Sequence, residues 1–104
     1  MKMAVIQLTA SNFEQEAIQS GKPVLLDFYA DWCGPCKMIS PLIAEIAEES
    51  DAYKVCKINV DDSPELAAKY QVMSIPTLIV LKDGKVHQQA VGARSKDAIL
   101  AMLQ

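Results

Sequence analysis

Trp32-Cys33-Gly34-Pro35-Cys36 sets two thiols three positions apart. Side chains at i and i+3 meet on one helix face, and a disulfide needs Cα atoms about 4.4–6.8 Å apart. The pair therefore closes if Cys33 sits at the open end of a helix and Cys36 one turn inside it. Pro35 suits that placement, because a proline in the first turn withholds an N–H that has no helical partner. The unpaired N–H groups and the positive end of the helix dipole then face Cys33 and favour its thiolate, the form that attacks disulfides. Two other chemistries stay open for the same pair. Zinc usually takes four ligands, of which a CxxC supplies half; Cys56 and His87 are the remaining cysteine and histidine, and neither belongs to a second cluster. A static structural disulfide is the other alternative, although an intracellular chain rarely keeps one. Dithiol–disulfide redox exchange is the reading the spacing favours.

The elements that position this pair follow from the flanking pattern. Val24 to Ala30, preceded by Pro23, is apolar on both alternations except at Asp27, which suits a central strand buried on both faces. After the pair, Cys36, Ile39, Ile43 and Ile46 recur at helical spacing, with Leu42 and Ala47 widening the stripe. Cys36 thus shares the core-facing side and is expected to be less exposed than Cys33. Pro41 falls inside this helix and is expected to bend it. A lone carboxylate inside an apolar strand, such as Asp27, should hold its proton more tightly than usual, because burial disfavours the charge.

The remaining elements are shorter. Val5, Ile6 and Leu8 predict a first strand, and Ser11 or Asn12 a cap for a helix carrying Phe13, Ala17 and Ile18 inward. Tyr53 to Val60 reads as a strand, and Ser63-Pro64 as the start of a short helix through Tyr70. Thr77 to Leu81, the Asp83-Gly84 turn signal and Val86 to Val91 read as a hairpin whose second strand is polar enough to be an edge. Ser95 predicts a cap for a last helix with Ala98, Ile99 and Met102 inward. The order β-α-β-α-β-α-β-β-α gives an α/β fold, a mixed sheet with helices on both faces, in one domain spanning residues 1–104.

Composition narrows the function. Hydrophobic residues make up 51 % of the chain, which rules out a disordered chain. Ten basic against thirteen acidic side chains give a net charge of −3, with no basic stripe to neutralise phosphates, so nucleic acid is not an expected partner. No run approaches the ~18 apolar residues of a membrane span, and the first residues do not form a signal peptide. A cytoplasmic location is expected.

The sequence resembles the thioredoxin family over its whole length. The resemblance rests on Asp27-Phe28-Tyr29-Ala30-Asp31-Trp32-Cys33-Gly34-Pro35-Cys36-Lys37, Ser74-Ile75-Pro76-Thr77, Lys82-Asp83-Gly84 and Val91-Gly92. It implies a central five-stranded mixed sheet flanked by four helices. It implies a general protein-disulfide reductase in which Cys33 attacks the target, Cys36 resolves the mixed disulfide, Asp27 takes the proton of Cys36 and Lys57 modulates Asp27. It further implies a cis bond before Pro76, pairing of the Ile75 backbone with an extended target, and an apolar docking patch of Trp32, Gly34, Pro35, Val60, Ile75, Val91, Gly92 and Ala93. No cofactor or metal is implied beyond the redox disulfide; electrons come from NADPH through a thioredoxin reductase, and the carrier is a monomer. Two rival functions are an oxidase or isomerase of the same fold and a redox-independent accessory subunit. Gly34-Pro35 favours the reductant. Tyr29 stands where many members have tryptophan, and Cys56 is an extra thiol, read as a small core residue or else as a regulatory one. His87, on the predicted edge strand with no nucleophile near it in sequence, is read as a surface residue.

Overall fold

The computed structural model describes residues 5–104. Five strands, β1 (Ile6–Gln7), β2 (Val24–Tyr29), β3 (Lys54–Asn59), β4 (Thr77–Lys82) and β5 (Lys85–Val91), form one sheet in the order β1-β3-β2-β4-β5. β2 is the middle strand, as its continuous apolar run predicts, parallel to β3 and antiparallel to β4. β1 is parallel to β3, and β4 and β5 make the antiparallel hairpin. The connecting helices are a π-helical segment (Glu14–Ile18), α1 (Gly34–Glu49), α2 (Pro64–Lys69) and α3 (Lys96–Met102).

Alternation along β2 divides the core in two. Val24, Leu26 and Phe28 point to one face, where Phe13, Ala17, Cys56, Ile58 and Leu66 complete an apolar layer. Phe28 and Phe13 both pack against the Tyr70 ring, with centroids 6.0 and 5.9 Å apart. Complete burial of a side chain of this size stabilises the fold by about 2–3 kcal/mol. Leu25 points to the other face, onto Ile39, Ile43 and Ile46 of α1 and Ile99 and Leu103 from the region of α3. The helical stripe read from the sequence is therefore the stripe that α1 buries. Asp27 lies on this second face, two residues beyond Leu25.

Several local readings need correction. The first helix is five residues of π-type structure whose N-cap position is Phe13, and no side chain caps it. Asn12 turns the other way: its Oδ1 accepts from the Thr9 N–H at 2.8 Å and its Nδ2 donates to the Gln7 carbonyl at 3.1 Å. A short amide side chain serves whichever nearby backbone group it reaches, and here the preceding loop wins. Ser63 occupies the N-cap position of α2, but its hydroxyl makes no cap bond, and α2 ends at Lys69. Ser95 does cap α3, accepting from the Ala98 N–H at 3.2 Å. α1 continues through Pro41, which has no N–H to offer the carbonyl four residues back. At the hairpin, Asp83 and Gly84 take φ of 53° and 77°, the paired left-handed conformation of a tight two-residue turn.

Candidate active site

β2 leads to Ala30, and the chain turns once before α1 begins. The turn is closed by the Cys33 N–H donating to the Ala30 carbonyl at 3.2 Å. Cys33 is the N-cap of α1: its backbone is extended, and its sulfur accepts from the Cys36 N–H at 3.2 Å. That bond satisfies one of the donors a helix start leaves open. Gly34 and Pro35 occupy the first turn, as the proline predicts. Cys33 and Cys36 are joined in a disulfide with Cα atoms 5.3 Å apart.

The expected difference in exposure between the two sulfur-bearing residues is absent. Cys33 is 4 % exposed and Cys36 3 %. Bonding draws both sulfurs into one small cluster with Ala30, covered by Tyr29, Val60 and Ile75. Helical periodicity accounts for Cys36 but is silent on Cys33, which is hidden by residues distant in sequence.

Two loops supply that cover. The Ile75–Pro76 bond is cis. Thr77 Oγ1 donates to the Ser74 carbonyl at 2.6 Å, and the Gly92 N–H donates to the Pro76 carbonyl at 2.8 Å, tying this loop to the end of β5. Gly92 has φ of 94°, and a Cβ there would meet nothing nearer than the Arg94 guanidinium at 3.6 Å. Backbone conformation, rather than crowding, is what glycine supplies at that point. Of the expected docking residues, Trp32, Gly34, Pro35, Val91 and Ala93 are exposed, while Val60, Ile75 and Gly92 are half-buried. Pro76 is buried, so it shapes the loop instead of presenting a side chain. Trp32 is 70 % exposed, and its Nε1 donates to Asp61 at 3.0 Å. Sequence reasoning missed Asp61: an acidic residue after a strand looks like any solvated loop side chain until the fold brings Trp32 to it.

Asp27, two residues before the end of β2, is 1 % exposed, with Oδ1 lacking a hydrogen-bond partner among the described residues. Burial pushes its carboxyl from 3.8 up to about 6, against the opposing pull of Lys57. Asp27 and Lys57 are register partners across β2 and β3. A cavity of about 110 Å³ is lined by Asp27, Tyr29, Cys36 and Lys57. Asp27 and Cys36 thus border a shared space, and a carboxyl with this affinity for protons is able to exchange one near neutral pH.

Cys56 is fully buried on the opposite face, and burial pushes its thiol up to about 12. His87 is exposed and meets the Gln104 carbonyl at 3.1 Å, at the point where β5 slips one residue in register against β4. Among the described residues no group of three or more His, Cys, Asp or Glu side chains is placed to hold a metal ion, and no helix is long and apolar enough to cross a membrane.

Comparison with known proteins agrees with this geometry. The family model described as thioredoxin matches residues 4–104. The thioredoxin of Pyropia yezoensis is 48 % identical over 102 residues, covering 97 % of this chain and 95 % of its own. That of Mycobacterium tuberculosis is 48 % identical over 103 residues, covering 98 % and 89 %. A solved structure of a mutant thioredoxin from Halobacterium salinarum NRC-1 superposes with a TM-score of 0.88 at 35 % identity, covering 96 % of this chain and 88 % of that one. The chain carries the redox disulfide at the helix start, the sheet that delivers it and a matching relationship over nearly its full length, and it belongs to the thioredoxin family of protein-disulfide oxidoreductases.

Proposed function

We propose that Cys33 and Cys36 carry out general protein-disulfide reduction in two ordered steps. In the first, the Cys33 thiolate attacks one sulfur of a target disulfide. A bond forms between that sulfur and Cys33, and the other target sulfur leaves as a thiolate. In the second, Cys36 gives its proton to Asp27 and attacks the Cys33 sulfur. The Cys33–Cys36 bond forms, the mixed disulfide breaks, and the second target sulfur leaves as a thiolate. Two electrons pass to the target and the protein keeps the disulfide seen in the structure. The observation that carries this reading is the placement of Cys33 as helix N-cap, joined to Cys36 with the Asp27 cavity alongside.

Regeneration uses electrons from NADPH delivered by a separate thioredoxin reductase, since the sequence holds no nucleotide-binding motif of its own. Trp32, Gly34, Pro35, Val91 and Ala93 form the exposed part of the target-docking patch, with Val60, Ile75 and Gly92 at its inner margin and the Ile75 backbone pairing with an extended target strand. Lys57 tunes Asp27 from across the sheet. The working unit is one domain over residues 1–104, a monomer acting in the cytoplasm, where a reducing pool keeps such a dithiol in its donor form.

The test is turnover of a protein disulfide by this chain with NADPH and a matched reductase. Steady NADPH consumption that requires both cysteines supports the reading. The measured reduction potential distinguishes the oxidant: a value well above the cytosolic glutathione poise replaces reductase with oxidase.

A further inference from the structure

Lys57 faces Asp27 across adjacent strands, yet among the described residues its ammonium forms no ion pair. It sits over the Tyr29 ring instead, 4.3 Å from the centroid. Tyr29 is two residues beyond Asp27 on β2 and so shares its face of the sheet. The ring is itself tethered: Tyr29 Oη donates to Gln7 Oε1 at 3.2 Å, and Gln7 is the register partner of Lys57 on β1. Gln7, Lys57, Asp27 and Tyr29 therefore form a patch across three strands, with the lysine between a ring and a carboxyl. The negative face of an aromatic ring attracts an ammonium without taking up a proton or neutralising a base.

We propose that Tyr29 is a positioning residue whose ring, braced by Gln7, holds the Lys57 ammonium off Asp27 and leaves that carboxylate unpaired beside Cys36 for proton transfer. This rests on the reading of Asp27 as the proton acceptor. With the ring removed, the Asp27 carboxylate, its cross-strand neighbour in the same cavity, is open to the ammonium. An ion pair there stabilises the charged form and weakens the base. The other titratable groups lining the cavity are Asp31, Lys37 and Cys36, the last bonded to Cys33 in this state. Tyr29→Leu leaves all three in place.

The experiment follows the Asp27 carboxyl by its carbon chemical shift through a pH titration of the oxidised protein, in Tyr29→Leu, Tyr29→Phe and both again on a Lys57→Met background. Tyr29→Leu is expected to lower the Asp27 midpoint by about one pH unit. Tyr29→Phe keeps the ring and should move it far less, and the effect of Tyr29→Leu should vanish once Lys57 is gone. An unmoved midpoint in Tyr29→Leu, or an equal shift without Lys57, overturns the proposal. The pH profile of mixed-disulfide resolution is then measured for the same proteins and is expected to move with the midpoint. A midpoint that moves while the resolution profile stays fixed leaves Tyr29 as the seat of Lys57 and overturns Asp27 as the proton acceptor.

Discussion

Cys36 and Cys56 are buried almost equally, at 3 % and 0 % exposed, Cys36 on α1 and Cys56 in the apolar layer on the sheet face opposite that helix. Their chemistry is opposite. Cys56 lies between Leu8, Leu26 and other apolar side chains, and its thiol holds its proton up to about pH 12. Cys36 lies in the first turn of α1, bonded to the N-cap residue and bordering the cavity that also holds Asp27. Burial alone makes a thiol inert by penalising the thiolate. In the proposed mechanism the helix start and proton transfer to Asp27 offset that penalty at Cys36. Apolar cover is common to both sites.

The largest expected effects break that contrast directly. Cys33→Ser should reduce disulfide-reductase turnover to background, since no attacking sulfur remains. Cys36→Ser should also stop turnover but leave attack intact, so that a covalent complex with the target builds up on a non-reducing gel. Cys56→Ser should turn over as the parent does. Sustained multiple turnover by Cys36→Ser would show that the two roles are assigned wrongly.

A smaller effect is expected at Asp27, the carboxyl that lines the same cavity as Cys36. Asp27→Asn should slow resolution of the mixed disulfide by about 10²–10⁴-fold, the usual contribution of a positioned proton acceptor. It should also stabilise the fold. The folded-state value of about 6 exceeds the ordinary 3.8, so between those values the native protein binds more protons than the unfolded chain. Stability therefore falls as pH rises from about 4 to about 6, and the full penalty, about 3 kcal/mol, is present above that window. Urea unfolding at pH 4 and pH 8 reads this: the parent should lose stability between the two relative to Asp27→Asn. Equal pH dependence in both proteins would mean that Asp27 is not the strained group.

Much of this was legible before the fold was known, because the signals are local. The β2 run, the α1 stripe from Cys36 to Ala47 and the Asp83-Gly84 turn each depend on near neighbours, and each is found where the pattern puts it. Pro35 and the thiol spacing place the redox pair at a helix start. The resemblance, and not any rule of residue spacing, carried the cis bond before Pro76. What sequence patterns missed depends on which long-range partner arrives. Asn12 was available as a cap but is used by Thr9 and Gln7. Cys33 is covered by Val60 and Ile75, and Trp32 is held by Asp61, contacts that exist only after the sheet assembles. Gln7 gains its place beside Lys57 only through the β1–β3 register, which a two-residue strand does not announce.

The smallest expected effect sharpens the contrast from the inert side. In the oxidised protein Cys56 is the one free thiol among the chain's three cysteines, so uptake of a thiol reagent reads it alone. Reaction requires both exposure and the thiolate, and the folded state denies both. Labelling should therefore wait for transient opening of the fold and accelerate as urea lowers the opening free energy. Cys56→Ala should cost about 1–2 kcal/mol, because removing one buried sulfur leaves a small void that neighbours such as Leu8 and Leu26 only partly fill. That variant should keep its full turnover while unfolding at lower urea. Labelling of the native parent at the rate of an unprotected thiol would instead place Cys56 within reach of solvent, and burial would no longer explain its silence.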